Sequence, residues 1–138
     1  MKRLIVLSAL LAVLLSSAAV GARRDFGKFS VDVPNGWRAV QDDSRVTLEK
    51  GSMIMEIELA SMGKKSLDVK AKEIARQYGS SDCEDIEDYY IFTYVEDGIE
   101  SFGRVSEPKK GMYLLVLITP NEHPNGVMFK IEESIRVK

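Results

Sequence analysis

Phe29-Ser30-Val31-Asp32-Val33 alternates apolar and polar side chains, the two-residue period of a strand with one buried face. Pro34-Asn35-Gly36 ends that run, and Trp37 follows at once. Two further strands, Val46–Leu48 and Met53–Leu59, flank Gly51-Ser52. A glycine-first two-residue loop suits a type II′ hairpin, whose twist matches that of its strands. The register it fixes puts Leu48 opposite Met55, Val46 opposite Ile57 and Ser44 opposite Leu59 on one face. On the other face Arg45 meets Glu58 and Thr47 meets Glu56, so opposite charges pair only on the side expected to face water.

From Leu67 the period lengthens. Leu67, Ala71, Ile74, Ala75 and Tyr78 form one helical stripe, with Ser66 placed as N-cap, Asp68 in the positive first turn and Gly79 as the left-handed stop. Downstream, Tyr89–Val95 and Ile99–Val105 flank Asp97-Gly98, the strongest short hairpin signal in the chain. That register sets Tyr90 against Val105, Tyr94 against Ser101, and Phe92 against Gly103, where the ring can cover the missing side chain. Met112–Ile118 is an unbroken apolar run, the mark of a central strand buried on both faces. Pro120–Gly126 reads as a loop. Val127, Met128, Ile131, Ser134 and Ile135 share one side of a helix over Gly126–Ser134. The order βββαβββα, joined mostly by hairpins, predicts an α+β fold: a mostly antiparallel six-stranded sheet with two main helices packed on it.

The first 22 residues follow another rule. Lys2 and Arg3 precede an uncharged apolar run from Leu4 to Val20, and small residues close the segment. This is the pattern of a secretory signal, with Val20-Gly21-Ala22 fitting the small-x-small rule and cleavage expected after Ala22. Without cleavage the run would be a short membrane anchor of 17 residues. No cysteine stands near the junction for a lipoprotein, and Arg23-Arg24 follows the apolar run rather than preceding it. Residues 23–138 are therefore expected to form one exported domain, periplasmic or secreted, with no stable membrane insertion. Removing the leader takes away Lys2 and Arg3 but no acid, leaving 17 basic and 21 acidic residues, a net charge of −4. That balance excludes nucleic-acid binding by bulk basic charge. Cys83 is the single cysteine, so no intramolecular disulfide can form and the core must hold the fold.

Phe29-x-Val31-x-Val33-Pro34-x-Gly36-Trp37, a strand running into Pro-x-Gly-Trp, resembles the opening of PsbP-like domains. These include the extrinsic photosystem II subunit, a nuclear-transport Ran-binding factor and bacterial exported or DcrB-like proteins. Ile131-x-x-Ser134-Ile135-x-Val137 is similar to the terminal helix and short apolar tail of that fold. The resemblance implies an α/β/α sandwich without catalysis, serving as an accessory or binding module of a larger assembly.

Three constellations could carry chemistry. A Cys83–His123 pair with Asn121 or Asn125 would make a hydrolase, but Asp82, Glu84 and Asp85 flank the thiol and disfavour its thiolate. Asp82, Glu84, Asp85, Glu87 and Asp88 place five carboxylates in seven residues, oxygen donors of the kind Ca²⁺ takes. Their spacing does not match a calcium-binding loop and includes no glycine for its sharp turn. The same acids, with Tyr90 and Tyr94, are the candidate interaction patch: carboxylates to steer a basic partner, aromatic groups to anchor it. A stripe of this kind can equally pack beneath a helix with its hydroxyls at the rim. The sequence thus points to an exported, non-enzymatic, monomeric domain without cofactor, binding an envelope protein. Calcium binding through residues 82–88 is the alternative, and the Cys83/His123 hydrolase the remote one.

Overall fold

The hairpin around Gly51-Ser52 forms in the register its pattern dictates: Leu48 faces Met55, Val46 faces Ile57, Arg45 faces Glu58 and Thr47 faces Glu56. Gly51 takes φ 59°, as the first position of a type II′ turn requires. The Asp97-Gly98 hairpin also forms as read, pairing Tyr90 with Val105, Phe92 with Gly103 and Tyr94 with Ser101. These come from a computed structural model that describes residues 21–120 and 126–138. The leader up to Val20, and Asn121, His123 and Asn125, lie outside the described residues.

In chain order the elements are β1 (Gly21–Asp25), β2 (Phe29–Pro34), β3 (Arg38–Asp42), β4 (Arg45–Lys50), β5 (Met53–Ser61), α1 (Leu67–Gln77), β6 (Glu84–Asp85), β7 (Tyr89–Glu96), β8 (Ile99–Lys109), β9 (Met112–Thr119), α2 (Gly126–Glu133) and β10 (Arg136–Val137). They build two antiparallel sheets, not one of six strands. The larger has seven strands in the order β3-β4-β5-β9-β8-β7-β6, and the smaller has three, β1-β2-β10. All six expected strands are present. The additional ones carry little side-chain pattern: β1 is Gly-Ala-Arg-Arg-Asp, β6 is two exposed acids, and β3 buries only Ala39. Their place is set by backbone pairing at sheet edges, which leaves no alternation to read.

Pro-x-Gly-Trp is what divides the sheets. The Trp37 amide donates to the Pro34 carbonyl at 3.2 Å, closing a tight turn. Gly36 at φ 87° supplies the positive φ that a type II turn needs at its third residue. The turn takes the chain out of β2 in the small sheet and into β3 of the large one, and drops the Trp37 ring, 2% exposed, into the core between them.

β9 lies at the centre of the large sheet, between β5 and β8. Val116 and Ile118 face one core with β2, β4, β5 and α2, whose Met128 and Ile131 are buried there. Tyr113, Leu115 and Leu117 face a second core with Ala71, Ile74 and Ala75 of α1. The helices thus cover opposite faces of the large sheet, and the α2 face is shared with the small sheet. α1 begins at Ser66, whose hydroxyl accepts from the Val69 amide, and ends at Gly79, φ 77°. There the Gly79 and Ser80 amides donate to the carbonyls of Arg76 and Ala75, the two bonds of a Schellman motif.

Ser134 fastens α2 to the small sheet. Its buried hydroxyl donates to the Ile131 carbonyl at 2.6 Å and accepts the Asp32 amide at 2.9 Å, while its carbonyl accepts from Arg23 at 2.9 Å. Ser134→Ala strands the Asp32 amide and is expected to cost about 1–2 kcal/mol, read as a shift in urea midpoint.

Candidate functional site

The acidic segment forms the outer edge of the large sheet beyond β7. Only Glu84 and Asp85 pair with it, opposite Ile91 and Tyr90. Asp85 then bends the chain: its carboxylate accepts the Glu87 amide at 2.8 Å, and Glu87 sits at φ 81°. Strand alternation turns the Glu84 and Asp85 side chains to opposite faces. Asp82, Glu84, Asp85, Glu87 and Asp88 are all exposed.

Asp82 has a distinct role from its neighbours. It accepts from the Ser80 hydroxyl at 2.5 Å, the Thr93 amide at 3.0 Å and the Thr93 hydroxyl. These donors, Ser80 first, hold its carboxyl down at about 2 from an ordinary 3.8. It therefore clamps the loop after α1 onto β7 and takes a ladder position that β6 is too short to reach. A depressed acid contributes stability above its unfolded pKa and loses it as pH falls through the folded one. Wild type should therefore lose stability between pH 4 and pH 2 more steeply than Asp82→Asn, whose cost at neutral pH is about 1 kcal/mol at this exposed position. Denaturation midpoints across that pH range check both.

Tyr90 and Tyr94 lie beneath α1, 8% and 6% exposed. The Tyr90 hydroxyl donates to Asp68 at 3.1 Å and to Asp85 at 3.4 Å, tying helix, β7 and β6 together. Burial, with Asp68 and Asp85 adding to it, pushes this phenol up to about 12. Tyr94 packs against the rings of Tyr78 at 5.1 Å and Phe92 at 5.9 Å. The accessible surface of the candidate patch is consequently carboxylate. Aromatic anchoring there passes to what the rings support: an open groove of about 680 Å³ running past Tyr78, Ser80, Asp82, Thr93, Tyr94 and Val95. Val95 is 69% exposed at its lip.

None of the ion pairs among the described residues involves the five acids. On the α1 side of β4 and β5, by contrast, Arg45 pairs with Glu56 at 3.4 Å and Glu58 at 3.6 Å and donates to the Tyr78 hydroxyl at 3.0 Å. That cluster holds its own counter-ion; the acidic edge forms no ion pair among the described residues. No group of three or more His, Cys, Asp or Glu able to hold a metal converges among the described residues. Cys83 is half-buried against the α1 core, and burial pushes its thiol up, with Asp68, Asp82 and Asp85 adding to that rise. Its proposed base, His123, lies outside the described residues. The Asp82 clamp was the feature that sequence reading missed. Ser80 two residues before Asp82 was a local cue, but its long-range partner Thr93 is not visible in the pattern.

The architecture has solved counterparts. A solution structure of cyanobacterial PsbP (CyanoP) from Synechocystis sp. PCC 6803 superposes with a TM-score of 0.56 at 13% identity, covering 87% of this chain and 94% of that one. The fold is PsbP-like. A crystal structure of a Bacteroides thetaiotaomicron protein matches with a TM-score of 0.54 at 10% identity over 87% of this chain, which spans 49% of that protein's length. No protein-family model matches the sequence, and no curated protein matches it. At such identities the PsbP-like likeness is one of fold. The strand and Pro-x-Gly-Trp turn that suggested it in the sequence are β2 and the crossover between the two sheets. No helix among the described residues is long and apolar enough to cross a membrane.

Proposed function

We propose that this chain is an exported, non-enzymatic accessory domain that works in the cell envelope by binding another protein. The observation that carries the reading is the set of exposed carboxylates at 82–88 that form no ion pair among the described residues, beside an open groove with Val95 at its lip. Carboxylates without internal counter-ions extend their field into solvent and speed encounter with a basic surface, while an adjoining apolar contact slows dissociation. The PsbP-like fold agrees with such a role. The acids also protect the edge, since strand addition by a second copy would set like charges side by side.

Glu84, Glu87 and Asp88 make no side-chain bonds that the fold depends on, so their charge can be reversed without touching the Asp82 clamp. Immobilised wild type should retain a basic protein from an envelope extract at low salt and release it as salt rises. The triple variant E84K/E87K/D88K should retain at least tenfold less, with the difference shrinking at high salt, because a rim charge acts mainly through long-range attraction. Equal retention by the two proteins at every salt concentration would overturn the reading.

A further inference from the structure

Gly21 and Ala22 are part of the folded domain. They open β1 and pair with Pro34 and Val33 of β2, in the same register that continues through Arg23–Asp32, Arg24–Val31 and Asp25–Ser30. Gly21 is moreover fitted to its partner strand: a Cβ added there would lie 3.0 Å from both the Pro34 Cα and the Val33 carbonyl oxygen. The smallness of this residue thus has a use inside the sheet, apart from any use in a leader junction. Cleavage after Ala22 would remove two of the five pairs that attach β1, and would set a new ammonium group in the middle of the strand.

We infer that the leader is cut earlier, after Ala19, so that the mature chain begins at Val20 and keeps β1 whole. Ser17-Ala18-Ala19 satisfies the small-x-small rule as well as Val20-Gly21-Ala22 does. It also divides the leader into conventional parts. The apolar stretch becomes Leu4–Leu15, 12 residues, within the 7–15 of a signal core, and Ser16-Ser17 opens the polar end. A cut after Ala22 would keep the same core and lengthen the polar end from four residues to seven.

The inference rests on the export reading and is tested apart from it. The full chain is expressed with its leader in an exporting host, and the product is measured by intact mass and N-terminal sequencing. A chain starting at Val20 is expected. A start at Arg23 overturns the inference and leaves export standing; an uncut Met1 chain overturns it too, and its recovery in the cytosolic fraction overturns export as well. The variants Ala19→Phe and Ala22→Phe separate the junctions without relying on the fold, because the peptidase acts on an extended segment. Ala19→Phe should lower the fraction of chains starting at Val20 at least tenfold, and Ala22→Phe should leave the cut where it was. The reverse pattern overturns the assignment.

Discussion

Trp37→Ala is expected to lower stability by roughly 3–5 kcal/mol, the usual cost of emptying a fully buried aromatic site. The ring is 2% exposed and shares its cluster with Phe29, Val31 and Val33 of β2, Ala39 of β3, and Met128 and Ile131 of α2. A cavity there loosens both sheets and the helix between them, so the remaining structure has little to collapse onto. Against total stabilities of about 5–15 kcal/mol for domains of this kind, such a loss brings the fold close to its limit. Urea denaturation followed by far-ultraviolet circular dichroism measures it. Trp37→Phe, which keeps most of the apolar surface, should lose markedly less. A cost below about 1 kcal/mol for the alanine variant would mean that the turn, rather than the ring, joins the sheets.

The second large effect is at Gly103. A Cβ there would fall 2.4 Å from Phe92 Cζ, 2.6 Å from Cε1 and 2.9 Å from Cε2. Phe92 has nowhere to go: it is 1% exposed, and the rings of Tyr78 and Tyr94 lie 6.1 Å and 5.9 Å from it. Gly103→Ala should therefore cost about 2–3 kcal/mol from overpacking alone, although alanine is otherwise the better strand residue. Shrinking the ring in the double variant Gly103→Ala, Phe92→Leu should recover part of that loss, with a coupling of roughly 1 kcal/mol between the two sites. Additive losses in denaturant midpoint would show that the ring does not fill the glycine's place.

The second of these effects was legible in the sequence. Phe92 was expected over Gly103 because the Asp97-Gly98 turn fixes register, and a fixed register fixes which side chains meet. The same logic carried the Gly51-Ser52 hairpin, the α1 caps and the central place of β9. It failed where the backbone alone decides. β1 holds Gly-Ala-Arg-Arg-Asp against β2 with no apolar alternation, and β10 contributes only Arg136 and Val137, so the small sheet left no periodic trace. Trp37 directly after Pro34-Asn35-Gly36 carries no periodic cue to its partners, and the turn between two sheets explains its burial. The acids at 82–88 were read as one cluster, whereas Thr93 sets Asp82 apart. That distinction depends on a strand eleven residues away and could not be read locally.

β1 and β10 lie on either side of β2, and Asp25 and Arg136 both pair with Ser30. The Lys138 ammonium reaches back to the Asp25 carboxylate at 2.5 Å. Gly21 and Val137 thus stand two strand spacings apart and about five residues out of step along β2, a gap that a linker of roughly six residues could bridge. In topological terms the stretch from Gly21 to Val137 is almost a closed ring. Its contacts would survive circular permutation, with new ends opened at an exposed turn.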